Sequence, residues 1–324
     1  MLHRQLGRSG ITVSALGFGC WPIGGHLVEH GLYVGWGDVD DRESIRAIHH
    51  AIDLGVTFFD TANVYGRSED ILGAALAGRR QNIVIATKFG KIYDPASGDL
   101  SRTDTSPQNM RASLETSLRR LRMDTIDLFQ FHLSDCPPEQ AIALREELEL
   151  VVQEGKIRAY AWSTDRLENV KLWEAGPHCA AVQQNLNIFE GNREILAFCE
   201  TRGLASINRG PLAMGLLTGK YRSGDHLPSQ DVRGSGLPIG AFPGGQPNPT
   251  YLARLAAIRD VLASGGRTVA QGALAWLWAL SHCTIPIPGF KNLQQADENA
   301  RAMHFGPLTG DQMRQIDHIL DGAR

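Results

Sequence analysis

Short apolar runs of β-type composition alternate with longer amphipathic stretches along most of this chain, starting near Val13. VSALGFG (13–19) reads as a first strand. DDRESIRAIHHAIDLG follows as an amphipathic helix ending at Gly55, a residue type that tolerates the left-handed conformation of a helix end. FFDTA is a second strand, and SEDILGAALAG a helix with Ser68 as its N-cap. NIVIATK is the third strand, and SPQNMRASLETSLRRL opens on Ser106-Pro107, the N-cap and first-turn preference. IDLFQFH is the fourth, followed by the proline-led helix PPEQAIALREELELVVQEGK. RAYAWST, AVQQNL and LASIN are strands five to seven, separated by the helices RLENVKLWEAG and NREILAFCETRG, and TIPIPG is the eighth.

Strands alternating with helices at this spacing imply βαβ units and a parallel sheet. Eight of them favour closure into a (β/α)₈ barrel (the TIM-barrel class of α/β proteins) over an open sheet. Residues 221–250 break the rhythm: the segment is rich in Gly and Pro, and its place after strand seven lays it over the barrel mouth. TVAQGALAWLWALSH (268–282) is a strongly apolar helix, with Trp276 and Trp278 in the core, and LTGDQMRQIDHILDG is an extra C-terminal helix. Residues 1–324 read as a single domain without repeat or linker, a length that barrels reach as one unit.

A net charge of −3 offers no basic footprint for nucleic acid or an anionic membrane. The five cysteines are scattered, without a CxxC, which fits reduced thiols in the cytoplasm. The N-terminus lacks the apolar stretch of a signal peptide, and no apolar run approaches the ~20 residues that cross a bilayer.

In such a barrel the chemistry sits at the C-terminal ends of the strands. Strand two ends on Asp60 with Tyr65 just beyond it, strand three on Lys88 and strand four on His132. Taken singly, each is better read as a structural strand-end or capping residue; together they make a catalytic constellation. An ammonium near a phenol favours the phenolate and lowers its pKa from about 10, while a carboxylate keeps the ammonium in place. Tyr65 and His132 would then grip a carbonyl oxygen as it gains charge, with Tyr65 donating the proton.

Other motifs carry less. His26-Leu-Val-Glu29-His30 has the HxxEH spacing of a zinc site, but such a site needs a helix, and here glycines flank a loop. A wall of the substrate pocket is the better expectation, and no metal is expected. Gly17 and Gly19 lack the third glycine of a Rossmann fingerprint.

Several segments resemble the aldo-keto reductase family over essentially the whole chain. RQLGRSGITVSALGFG resembles its N-terminal β-hairpin and first strand, GVTFFDTANVYGRSED its aspartate–tyrosine motif, and VIATKFG and DLFQFH its lysine and histidine motifs. GPLAMGLLTGKY (210–221) and IPGFKNLQQADENA (287–300) are similar to its two cofactor segments. The resemblance implies a barrel that binds NAD(P)H in extended form and passes hydride between nicotinamide and an aldehyde, ketone or sugar carbonyl. It implies Asp60, Tyr65, Lys88 and His132 as the catalytic tetrad, with Gly19, Cys20, Trp21 and Asp60 beside the cofactor. Ser163, Thr164 and Gln183 would hold the carboxamide. Arg209, Gly210, Pro211, Leu212, Met214, Gly215 and Leu217 would cradle ring and pyrophosphate. Gly289, Lys291, Gln295, Glu298 and Asn299 would hold the adenosine end; Lys291 and Gln295 as partners of a 2′-phosphate favour NADPH, without excluding NAD.

Two positions depart from the family pattern. Ser163-Thr164 stands where Ser-Asn is common, and Arg209 where an aromatic residue stacks on the nicotinamide. Arg209 either stacks there and attracts an anionic or polyhydroxyl substrate, or pairs with a surface carboxylate. The other function class is a cofactor-bound, non-catalytic subunit similar to the barrel-shaped β subunits of potassium channels. The partner expected is a small molecule; the oligomeric state is not legible.

Overall fold

The computed structural model describes residues 2–321. Eight strands form one parallel sheet in chain order: β1 Gly17–Gly19, β2 Phe58–Asp60, β3 Val84–Phe89, β4 Ile126–Phe131, β5 Ile157–Ser163, β6 Cys179–Asn185, β7 Ala205–Arg209 and β8 Thr284–Pro286. The seam between β8 and β1 is drawn together by a hydrogen bond from Gly19 N to Pro288 O (3.0 Å) and by a parallel bridge from Gly19 to Gly289. A Cβ on Gly19 would lie 2.9 Å from Ile287 O, so a side chain there would push the seam apart.

Strand alternation sorts the side chains into two cores. Phe58, Val84, Ala86, Leu128, Ala181 and Ile207 fill the barrel, while Phe59, Ile85, Phe129 and Phe131 face the helices. Along β2, β3, β4 and β6 the inward row changes from apolar to polar at the C-terminal end: Phe58 gives way to Asp60, Ala86 to Lys88, Leu128 to Gln130, Ala181 to Gln183. The hydrocarbon below closes the barrel to water and leaves the polar groups at its mouth.

Among the described residues ten α-helices accompany the barrel strands. α1 (Asp41–Asp53), α2 (Ser68–Ala75), α3 (Pro107–Leu121), α4 (Pro138–Gln153), α5 (Leu167–Glu174) and α6 (Arg193–Arg202) follow the first six strands. α7 (Pro249–Leu262) and α8 (Val269–Leu280) precede β8, α9 (Leu293–Arg301) follows it, and α10 (Gly310–Asp321) packs on α7. Asp40, Ser106 and Thr268 cap α1, α3 and α8 through their side-chain oxygens.

The structure corrects the sequence reading in three places. The run 13–19 is not one strand: Thr12–Ser14 pairs antiparallel with His3–Gln5 in a hairpin whose Leu6, Ile11 and Val13 plug the barrel floor, and only Gly17–Gly19 enters the barrel. Ser68 is the first residue of α2 rather than its cap; its hydroxyl instead donates to Cys20 O (2.8 Å) and pairs with Thr61 Oγ1 (2.8 Å). α7 was not anticipated, because YLARLAAIRDVL spreads its apolar residues around the helix and follows directly on the irregular insert. The C-terminal helix forms as expected, with its last expected residue, Gly322, outside the described residues.

The 221–248 insert does cross the mouth. Val232 N donates to Gly35 O (2.9 Å), and Arg233 ties the segment down through Asp231, Tyr221 Oη (2.5 Å) and Met214 O (3.2 Å). Trp36 lies under its guanidinium at 4.8 Å. Among the described residues no helix is long and apolar enough to cross a membrane.

Candidate active site

At the C-terminal end of the barrel a cavity of about 990 Å³ runs from Trp21, Tyr65 and His132 past the 209–215 loop to the start of α9. Its floor is an ion pair. Lys88 Nζ, fully buried, donates to Asp60 Oδ1 (2.5 Å) and Thr61 O (2.7 Å), and reaches Tyr65 Oη at 3.4 Å. Gln130 and Gln183 donate to the other carboxylate oxygen of Asp60 at 2.7 and 2.8 Å. The carboxylate is therefore gripped from three strands, the arrangement a buried charge requires.

His132 meets Tyr65 edge to face, ring centroids 5.7 Å apart, and its buried Nδ1 has no partner among the described residues. Burial, together with the positive charges of Lys88, Lys91 and Arg209, holds the imidazole well below its usual pKa, so it is neutral at pH 7. Lys88 stays protonated: burial works against its charge, yet Asp60 and Tyr65 outweigh that and hold it above the ordinary lysine value. The expected lowering at Tyr65 is corrected. Burial dominates and raises the phenol above its ordinary value, with Lys88 opposing. Tyr65 is a protonated donor at neutral pH.

A second buried cluster holds this floor from behind. Glu69 on α2 accepts from Thr87 Oγ1 (2.6 Å), next to Lys88, and from Arg120 Nη1 (3.3 Å), which also donates to Asn63 O (3.1 Å) in the loop that carries Tyr65.

The rest of the cavity is built from backbone. Gly210 is left-handed (φ 61°), and a Cβ on it would meet Asn185 Oδ1 at 2.7 Å. Ala213 and Met214 also adopt positive φ (47° and 55°), a strained state for non-glycine residues that is kept where a loop must present its backbone in one shape. Gly289 leaves no space for a side chain, with Pro22 Cγ 2.7 Å from an added Cβ. Lys291 Nζ donates to Trp36 O (2.6 Å), its backbone N–H to Gln295 Oε1 (2.8 Å), and Asn299 Nδ2 to Gly289 O (3.3 Å).

Of the residues singled out in the sequence, Gly19, Trp21, Asp60, Ser163, Gln183, Arg209, Gly210, Pro211, Leu212, Met214, Gly215, Gly289, Lys291, Gln295, Glu298 and Asn299 line the cavity, as do Tyr65 and His132. Cys20, Lys88, Thr164 and Leu217 do not; Lys88 lies fully buried beneath the lining, against Asp60. Cys20 and Leu217 are fully buried in the outer core. The Thr164 hydroxyl is spent on Ser134 O (2.9 Å), Arg166 N (3.2 Å) and Asn169 Nδ2 (3.2 Å). Arg209 pairs with Asp165, the second of its two readings, while still bordering the cavity. In the HxxEH loop, His26 Nε2 contacts Asp38 Oδ1 (2.8 Å) and Glu29 pairs with Lys91, so both residues have other partners. Leu27 and Glu29 line the cavity, which makes the loop a wall of it.

Sequence reasoning missed Gln130 and Arg233. Gln130 was within reach, two residues before His132 on one face of β4. Arg233 had no signal in a segment without periodicity.

A profile of the Aldo/keto reductase family matches residues 15–321. The chain belongs to that family. An aldo-keto reductase of Schizosaccharomyces pombe, whose name carries NADP(+), is 30% identical over 99% of this chain and 92% of its own. Among solved aldo-keto reductases, the glycerol dehydrogenase of Gluconobacter oxydans superposes with a TM-score of 0.84 at 31% identity, covering 99% and 95% of the two chains. One from Klebsiella pneumoniae, in complex with NADP and acetate, gives 0.72 at 25% identity, covering 98% and 95%.

Proposed function

We propose that this aldo/keto reductase reduces an aldehyde or ketone with NADPH, Tyr65 acting as the general acid. The observation that carries the reading is the protonated Tyr65 phenol 3.4 Å from the Lys88 ammonium, on the floor of a cavity long enough to run to α9. The backbone at Gly210 and Gly289 fits a dinucleotide, since neither position carries a side chain to hold a flat, anionic molecule away from the main chain, and the positive φ of Ala213 and Met214 fixes the shape of the 209–215 loop. Ser163 and Gln183 would hold the carboxamide, the 209–215 loop the ring and pyrophosphate, and Lys291, Gln295, Glu298 and Asn299 the adenosine end. When bound there, NADPH supplies the hydride.

This chain's own residues manage the proton and the charge. As negative charge grows on the carbonyl oxygen, Tyr65 Oη transfers its proton to it, and the Lys88 ammonium stabilises the phenolate left behind. Asp60, gripped by Gln130 and Gln183, keeps that ammonium in place. The neutral His132 orients the oxygen with a ring N–H. Arg209, tied to Asp165, contributes a cation at the rim. The intact tetrad favours an enzyme over a non-catalytic subunit. The name of the Gluconobacter relative raises the reverse reaction on a polyol as a second reading. Steady-state NADPH oxidation with a carbonyl panel, for the wild type and Tyr65→Phe, tests the proposal; turnover retained without the hydroxyl overturns it.

A further inference from the structure

Gln130 is fully buried on β4, behind the cavity rather than on its lining. Its contacts close a small ring. Gln130 Nε2 donates to Asp60 Oδ2 (2.7 Å), Gln183 Nε2 donates to the same oxygen (2.8 Å), and Gln183 Nε2 also donates to Gln130 Oε1 (3.2 Å). A carboxylate only accepts, so Asp60 obliges both amides to turn their NH2 groups toward it. Both hydrogens of the Gln183 amide are then taken up inside the protein. Its Oε1 has no hydrogen bond among the described residues, and Gln183 lines the cavity. Beside it in the register of β5 and β6 stands Ser163, which also lines the cavity and whose hydroxyl has no hydrogen bond among the described residues. The next hydroxyl along, that of Thr164, is already engaged with Ser134 O, Arg166 N and Asn169 Nδ2.

Resting on the reductase reading above, we infer that Gln130 is a positioning residue for the coenzyme: it locks the Gln183 amide in one orientation, so that the nicotinamide carboxamide is read through its NH2 group. A carboxamide has one edge that donates and one that accepts. The Gln183 oxygen suits the first and the Ser163 hydroxyl the second; reversed, the carbonyl oxygen would face another oxygen. Asp60 by itself engages one hydrogen of Gln183 and leaves the amide free to pivot about that bond. Gln130 Oε1 takes the second hydrogen and removes the pivot. Without it a buried N–H is left unpaired, and Gln183 turns to offer that hydrogen to the ring substituent instead. The same two glutamines grip the carboxylate that holds Lys88, so one hydrogen-bonded unit sets both the coenzyme's orientation and the ammonium beside Tyr65.

The test titrates the purified protein with NADP+ and with its 3-acetylpyridine analogue, in which a methyl group replaces the NH2. Binding is read from tryptophan fluorescence, since Trp21 and Trp36 line the cavity. The wild type should bind NADP+ roughly ten- to a hundredfold more tightly, because the analogue leaves the Gln183 oxygen unpaired. Gln130→Met, which keeps the volume and removes the acceptor, should narrow that ratio to about threefold or less. Gln130→Asn, which withdraws the acceptor by one methylene, is a second variant expected to act in the same direction. Ser163→Ala should weaken both coenzymes alike and leave the ratio unchanged, since both carry the carbonyl. Equal affinities in the wild type, a ratio unmoved in whichever Gln130 variant folds, or a ratio that falls as far in Ser163→Ala overturns this inference while the reductase reading stands. A wild type that binds neither coenzyme rejects that reading, and this inference with it.

Discussion

Lys88 and Asp60, from neighbouring strands, form an ion pair with both side chains almost fully buried, 0% and 3% exposed, and with 2.5 Å between Nζ and Oδ1. A pair so placed stabilises the fold little relative to an apolar replacement, but it is costly to break from one side. The barrel floor is thus built around a charge that the fold alone does not need.

That asymmetry gives a stability test. Asp60→Asn leaves the ammonium buried without its counter-charge and should destabilise the protein by about 3–5 kcal/mol. Asp60→Leu combined with Lys88→Met should recover most of that loss and remain inactive. Denaturant titration of the single and double variants reads both. A double variant as unstable as Asp60→Asn would mean the pair is structural.

Tyr65→Phe should lower kcat by a factor of about 10²–10⁴, the usual contribution of a positioned acid, with NADPH affinity within about twofold of wild type. Fluorescence titration of the coenzyme and steady-state kinetics separate the two effects. Equal losses in binding and turnover would point to a packing role for the ring.

His132 gives stability a pH dependence whose sign follows from its depressed pKa. In the unfolded chain the ring takes up a proton below about pH 6.5, while in the fold it stays neutral, so the unfolded state binds more protons. Stability should therefore fall as pH drops below 6.5, by at most about 1.4 kcal/mol per unit. His132→Gln should flatten that slope. Melts at pH 7 and pH 5.5 with parallel slopes for the two proteins would contradict the assignment.

Lys291→Met should raise KM for NADPH roughly tenfold, the loss of one charge-assisted hydrogen bond, and leave KM for NADH nearly unchanged. Equal increases for both coenzymes would place the lysine away from a 2′-phosphate.

Much of this was legible in one dimension. The alternation from β2 to β6 sets each strand, and the position of Asp60, Lys88 and His132 at strand ends is enough to place them at one mouth, because a parallel barrel has only one C-terminal face. Gln130 and Gln183 belong to the same inward rows and are within reach of a period-two reading, although Gln183 enters the sequence analysis only through the family resemblance and Gln130 not at all. The split of 13–19 was not readable, since Val13 and Phe18 look alike as apolar residues whether they plug the floor or line the wall. α7 escaped because its apolar residues follow no single face.

The order of elements, the barrel class and the convergence of Asp60, Tyr65, Lys88 and His132 at one mouth are properties of local pattern, and the primary order of residues was sufficient for them. Tertiary structure alone decided what depends on surroundings: that burial outweighs Lys88 at the Tyr65 phenol, that Arg209 is taken by Asp165, and that Thr164 has no hydrogen-bonding capacity left. Desolvation and the competition for hydrogen-bond partners are set by neighbours distant along the chain, and those neighbours exist only once the barrel has closed.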